Sequence, residues 1–318
     1  MDELLTQDRP AYDTPVMVLG FTGWMDGGRV STGTIGYLQD RLGGVPCAQI
    51  RSADFYVLNF PVSTLPISVY LDSGRPVVAP VSPMESAAVF RPHVEINDGV
   101  IRQLNLPTNQ FWASERARLT LFAGEEPHIR WGAYSECVFR LATELGARQM
   151  YFVGSVATHV PHTRRPRIHA SITSDARRGE LEALGVGFTT YQGPASIVTW
   201  LTHQAPDRGF EFTSLVVEVP HYPFLEMPTY PRSIHTVTSA LDSLLGLALD
   251  LGDLERAADA VESKLSEVMA ENDEFRQLVA KLEEAYDYEV PGEDAELLRQ
   301  LIDSIDLDIT GDDQGDEE

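Results

Sequence analysis

The chain has 318 residues, 43% of them hydrophobic and 23% charged, enough to bury one large core with a smaller unit beside it. No apolar run approaches the ~20 residues that span a bilayer, and the first ten residues carry Asp2, Glu3 and Asp8 where a signal peptide would be basic and then apolar. A cytoplasmic protein is expected, with Cys47 and Cys137 as buried small hydrophobes, since two cysteines make no disulfide framework.

The net charge of −24 is unevenly placed. Residues 250–318 hold 24 acidic side chains against five basic ones, or −19, and the first 249 residues hold 24 against 19, or −5. All 19 basic residues of that body are arginines, because Lys264 and Lys281 are the only lysines. The body therefore offers no lysine for a Schiff base or a P-loop clamp. A chain this acidic does not accumulate on phosphate backbones, so no nucleic-acid partner is expected.

Taken in order, Pro15–Phe21 is an apolar run of strand length, followed by the Gly-rich loop Thr22–Gly28 and a helix over Arg29–Leu42 that stops at Gly43-Gly44. Residues 45–110 are rich in Pro, Ser and short β-prone runs. Within them His93–Ile96 and Val100–Leu104 flank Asn97-Asp98-Gly99, the composition of a hairpin turn. Arg118–Ala123 predicts a second core strand, Trp131–Leu145 a helix closed by Gly146, and Gln149–Gly154 a third strand. After the His- and Arg-rich loop 157–167 come a helix over Asp175–Leu184, a strand over Gly187–Tyr191, a helix over Pro194–Gln204 with Pro in its first turn, and a strand over Thr213–Val219.

Apolar strands alternating with helices predict a three-layer α/β/α fold around a mostly parallel sheet. Ligands of such sheets bind at the carboxyl ends of strands, where loops 22–28, 124–128, 157–167 and 218–232 would gather. From His235 the pattern is helical alone: Val237, Leu241, Leu244, Leu245 and Ala248 share a face, Leu254 to Val268 give a second stripe, and Asn272 with Asp273 can cap a third helix. A short fourth helix is predicted over Glu293–Ile302, and Thr310–Glu318 has the composition of disorder. The expected division is an α/β core over 1–234 with a β-hairpin insertion around 89–106, an acidic helical extension over 235–305 and a disordered tail over 306–318.

The ligand-binding candidates fall in these loops. Gly23, Trp24, Asp26, Gly27 and Gly28 form a loop that ends at a helix N-terminus, where an anion could bind, but the loop lacks both the Gly-x-Gly-x-x-Gly spacing and a P-loop ending. The competing reading is a tight turn with Trp24 packed between layers. Glu125, Glu126, Asp26, His128 and Glu218 could supply general acid-base chemistry. His159, His162, Arg164 and Arg165 stand close together with Arg167 and His169. Guanidiniums beside imidazoles oppose a cation, so no metal is expected. The cluster suits an anionic group, either a ligand carboxylate or phosphate or an acidic patch on another subunit. Ser155 lacks the second glycine of a nucleophile elbow.

Five stretches together resemble one family. They are Val16-Met-Val-Leu-Gly-Phe-Thr-Gly-Trp-Met-Asp-Gly-Gly with Thr32-Gly-Thr-Ile-Gly-Tyr-Leu after it, Phe122-Ala-Gly-Glu-Glu-Pro-His, His159-Val-Pro-His-Thr-Arg-Arg-Pro, Tyr191-Gln-Gly-Pro, and Val219-Pro-His-Tyr-Pro. Over about residues 14–250 the chain resembles the proteasome assembly chaperone 2 family, in its actinobacterial branch. The resemblance implies a purine nucleoside phosphorylase-like α/β/α core, self-association (a homotrimer), and for eukaryotic and archaeal relatives the chaperoning of proteasome assembly. It carries over no catalytic residue, cofactor or metal. The chain ends Gly-Asp-Glu-Glu, without the hydrophobic-Tyr ending by which some relatives dock on the proteasome. Two functions are thus expected to compete: a non-enzymatic oligomeric protein-binding or assembly-chaperone-like protein, and an enzyme or binder of an anionic small molecule at the carboxyl edge of the sheet.

Overall fold

The computed structural model describes residues 3–7, 9–58, 67–72, 75–80, 91–222, 225 and 227–288. The chain runs β1 (Leu4–Thr6), β2 (Val16–Thr22), α1 (Val30–Leu42), β3 (Val45–Ile50), β4 (Ile67–Asp72), β5 (Arg75–Pro80), β6 (His93–Asn97), β7 (Val100–Asn105), β8 (Asn109–Ser114) and β9 (Leu119–Glu125). It continues through α2 (Trp131–Glu144), β10 (Gln149–Thr158), β11 (Ile168–Ile172), α3 (Arg178–Ala183), β12 (Gly187–Phe188), α4 (Ile197–Gln204), β13 (Glu211–Pro220), α5 (Pro231–Leu245), α6 (Gly252–Glu271) and α7 (Asp273–Asp287).

Nine strands form one sheet in the order β1-β3-β8-β9-β2-β10-β13-β11-β12. The four central strands β9, β2, β10 and β13 are mutually parallel, and antiparallel pairs flank them on both sides. The parallel strands are the apolar runs of the sequence, buried on both faces as parallel strands must be. Alternate residues feed two cores. Met17, Leu19, Phe21, Phe122 and Phe152 face α2 and α4, while Val18, Leu121, Tyr151, Val153 and Leu215 face α1, α3 and α5.

Several elements differ from the pattern-based expectation. β10 runs on to Thr158, four residues past Gly154. The strand expected over Gly187–Tyr191 is two residues long. The helix expected from Pro194 begins at Ile197, because Ser196 caps it: its side chain accepts from Thr199 N–H and Thr199 reaches back to the Ser196 amide. The hairpin β6–β7 turns through Asp98 and Gly99, both with positive φ, and pairs with no strand of the large sheet. The fourth helix and the acidic tail lie outside the described residues.

The first arm helix is built into the fold. Ile234, Val237 and Leu241 of α5 are buried in the second core, and α1 crosses α5 so closely that a Cβ on Gly33 would sit 2.9 Å from Ile234. Helix α6 packs on α5, where Arg232 pairs with Glu262 at 2.7 Å and Asp259 at 2.5 Å. Asn272 caps α7, its side chain accepting from Phe275 N–H at 2.9 Å. Helix α7 then returns to the loop after β10.

Candidate functional site at the carboxyl edge of the sheet

Because β2, β9, β10 and β13 are parallel, the loops that follow them open at one edge. There the strands β2 and β10 part: their register ends at Gly20 and Val153. The hydroxyl of Ser31, on the first turn of α1, stands in the gap. It accepts from Phe21 N–H at 3.0 Å and donates to Val153 C=O at 2.5 Å, replacing the direct ladder bond those groups have lost. Beyond it the Gly-rich loop folds back and pairs with β10 itself. Ser155 N–H donates to Met25 C=O at 2.9 Å, Ser155 Oγ donates to Gly27 C=O at 2.7 Å, and Asp26 bridges to Ser155. The loop thus fills the crevice between the strand ends.

The glycines are required by that close approach. A Cβ on Gly27 would meet the backbone nitrogen of Ala157 at 2.9 Å. Gly28, at φ +57, has Tyr230 Cβ and Val219 Cγ1 each within 3.1 Å of the Cβ position, and its carbonyl accepts from Tyr230 N–H. The Asp26 carboxylate is engaged within the chain. It accepts from the Thr32 amide at 3.1 Å and the Thr32 hydroxyl at 2.8 Å, so it holds the first turn of α1 in the place an incoming anion would take. Burial raises its pKa and the Thr32 hydrogen bonds oppose the rise. The expectation that Trp24 packs between layers is overturned: it is 68% exposed, because the loop turns at Gly23 (φ +111) before re-entering the sheet.

Glu125 ends β9 opposite Thr22. Its carboxyl is half-buried and burial raises its pKa, while His128 pulls the other way. Tyr56 donates to the Glu125 carbonyl at 2.6 Å. Glu126 lies against Gly23 and accepts from the Ile197 amide at 2.9 Å, capping α4. His128 Nδ1 accepts from Val57 N–H at 3.1 Å.

The His/Arg cluster forms a second group, which meets α7. The acidic patch that sequence reasoning placed on a ligand or another subunit is the chain's own arm. Arg164 makes a two-pronged pair with Asp287 (2.9 and 2.6 Å) and a bond to Glu283 at 2.9 Å. Arg165 offers its carbonyl to the Tyr286 hydroxyl at 2.6 Å. Arg167 lies 3.8 Å over the Tyr286 ring. His159 stands 6.3 Å from His221, ring to ring, and His169 Nε2 lies 3.1 Å from Glu218.

His162 is 2% exposed. Its amide donates to Tyr222 Oη at 2.9 Å and its Nδ1 lies 2.8 Å from the same oxygen. If Oη, which accepts the amide, donates to Nδ1, the ring proton sits on Nε2. Nε2 is buried without a partner, and the ring stacks on Phe275 at 5.9 Å. Burial lowers its pKa, against the upward pull of Glu262 and Glu283. A depressed histidine pKa contributes stability that is fully present above the unfolded value of 6.5 and is lost as pH falls below it. Amide protection of 273–287, corrected for intrinsic exchange, should therefore fall between about pH 7.5 and 5.5, and His162→Gln should remove most of that dependence. Unchanged protection in the wild type would refute it.

Sequence reasoning passed over Ser31 and Tyr286, and it weighed Ser155 and Glu126 for chemistry without seeing the contacts they make in the fold. The one available signal was the charge split, since an arginine-rich loop in a chain with a −19 arm has an obvious partner. Two hollows lie elsewhere. One of about 600 Å³ is lined by Arg9, Tyr12, Leu42, Val45 and Glu115, and one of about 300 Å³ by Phe139, Arg140 and Arg208 on α2 and before β13. No helix among the described residues is long and apolar enough to cross a membrane. Both cysteines are buried.

The PAC2 family model matches residues 20–269. The chain belongs to the PAC2 family. No curated protein matches it. Among solved structures, this PAC2 chain is similar to a Mycobacterium tuberculosis protein of unknown function (TM-score 0.70, 22% identity, 95% of this chain and 92% of that one). It is also similar to a proteasome-assembly chaperone homologue of the same organism (0.66, 22%, 83% and 99%), and to an archaeal proteasome activator of Pyrococcus furiosus (0.57, 16%, 84% and 99%). At these identities the likeness is one of fold.

Proposed function

We propose that this PAC2 protein is a non-enzymatic, self-associating assembly factor that binds other proteins, with proteasome subunits as the first candidates. The observation that carries the reading is the filled carboxyl edge. The place where an α/β sheet would hold a small molecule is taken by the loop 25–27, by Glu126 on α4 and by α7 on the loop after β10. The loop leaves Trp24 outward at 68% exposure, a residue type that anchors protein interfaces. The family and the proteasome-related names of two structural neighbours support the choice of partner. In this reading 1–234 is the α/β core and 235–305 its acidic extension.

Sedimentation of the full chain, alone and with purified actinobacterial proteasome α and β subunits, tests it. A multi-chain species that co-sediments with the subunits is expected. A single-chain species that ignores them overturns the reading. The competing reading, a site for an anionic substrate, draws on half-buried Glu125. It predicts a clear thermal shift with a nucleotide, phosphate or amino acid, since saturation at 100 Kd adds about 2.7 kcal/mol.

A further inference from the structure

The surface under α7 has the chemistry of a helix-docking groove. Its floor is apolar. Fully buried Tyr222 meets the Phe275 ring edge-on at 4.8 Å between centroids, and His162 stacks on the same ring. Its rim is basic. Arg164 holds Glu283 and Asp287, and Arg167 covers the Tyr286 ring while donating to the Tyr286 carbonyl at 2.7 Å. The occupant is an acidic amphipathic helix whose buried stripe is Phe275, Val279 and Leu282.

Two features make that occupant exchangeable. Its cluster has only four buried members among the described residues, Tyr222, Phe275, Val279 and Leu282, and meets the second core through the partly buried Leu225 and Met227. Its connection to α6 is one residue: Asn272 (φ −128, ψ 108) is the single non-helical position between a helix of 20 residues and one of 15. A change at that residue alone swings α7 off as a unit, or fuses it with α6. The chain then presents an empty groove and the helix that fits it. The surface complementary to both is a second copy in the same state, and exchange of an identical element about a short hinge is a low-cost route to a dimer. The tether favours the chain's own helix by an effective concentration on the order of mM, so the two states differ by hinge geometry and protein concentration.

We propose that the groove under α7 accepts the α7 helix of a second copy as well as its own, so that two chains exchange arms about Asn272. This deepens the self-association reading above and rests on it. The experiment uses two full-length variants, Arg164→Glu and the double change Glu283→Arg with Asp287→Arg. All three side chains sit at the solvent edge of the contact, with 30–54% of the side chain exposed, so the sheet body should fold in both. Each variant alone sets like charges against each other across the rim and should lower amide protection over 273–287, by the modest factor that ion pairs this exposed allow. In the mixture the reversed groove of one chain matches the reversed helix of the other, and the wild-type groove and helix match in return. Recovery of protection on mixing, with a two-chain species by native mass spectrometry, is the expected result. No recovery, while the chain carrying all three changes is protected, overturns the exchange. The wild-type mass then separates the two ideas: a multi-chain wild type leaves self-association standing, and a single-chain one removes both. If the three-change chain is itself unprotected, Asn272→Ala decides. It favours a continuous α6–α7 helix and should give a two-chain species with 273–287 packed, and a single-chain species overturns the proposal.

Discussion

Replacing Phe275 with alanine should release α7 and leave the rest of the molecule folded. Phe275 is 1% exposed and sits at the centre of its cluster, between Tyr222 and His162. Truncating a buried Phe costs about 3–5 kcal/mol through lost transfer energy and the cavity left behind. The other holds on α7 are smaller. Val279 and Leu282 contribute roughly 1.5–3 kcal/mol each when fully buried, and ion pairs as exposed as Arg164–Asp287 are worth about 0–1 kcal/mol. A 15-residue helix has no independent stability to fall back on, since isolated helices of ~12–15 residues are marginal in water. The loss should therefore be local. Hydrogen exchange should show 273–287 losing protection while amides of β2 and β10 keep theirs. Equal loss in the strands would mean that α7 belongs to the cooperative unit of the sheet, and the detachable arm would have to be abandoned.

The parallel centre of the fold was legible because its strands are short apolar runs bounded by Gly, Pro and polar residues. Val16–Thr22, Leu119–Glu125 and Glu211–Pro220 could hardly be anything else. The flanking strands were not legible. In β3 a proline interrupts a six-residue segment, β8 mixes Asn, Gln and Ser with Phe and Trp, and β11 holds a histidine. These half-covered segments become strands because a neighbour offers backbone partners, a tertiary cause that local pattern does not contain. The three arm helices were legible from their stripes, and α7 also from its Asn272 cap, but the first runs from Pro231 to Leu245, so Ala248, expected on its face, lies beyond its end. The site was legible by position and illegible by content. Strand direction puts the loops at one edge, yet nothing near residues 22–28 indicates that Ser155 would bind the loop from 128 positions away, or that Asp26 would turn inward to Thr32. The partners of Arg164 lie 119 and 123 residues downstream. Contacts of that separation are fixed by the folded layers and leave no periodic trace. A charge ledger by segment was the one sequence property that bore on them.

Ser31→Ala tests the crevice itself. The hydroxyl is fully buried and serves two backbone groups that face each other across the split between β2 and β10, Phe21 N–H and Val153 C=O. Alanine conserves the volume within one atom and has a better helix propensity than serine, so neither packing nor α1 should suffer. What remains is two buried polar groups without partners, each costing about 1–3 kcal/mol. Water cannot easily replace the hydroxyl, because α1 lies so close to β2 that a Cβ on Gly20 would stand 2.5 Å from Ile35 and 2.9 Å from the Ser31 carbonyl. The split could close only by drawing Phe21 toward Val153, which would expel the loop that re-pairs at Ser155. Urea unfolding should therefore show the variant less stable by about 2–4 kcal/mol with an unchanged m-value, and Trp24 fluorescence should report a displaced loop if the strands close. A variant as stable as the wild type would mean that the two groups bond directly without the hydroxyl. The crevice would then be a gap the sheet can close by itself, and the loop would be lying over it without holding it open.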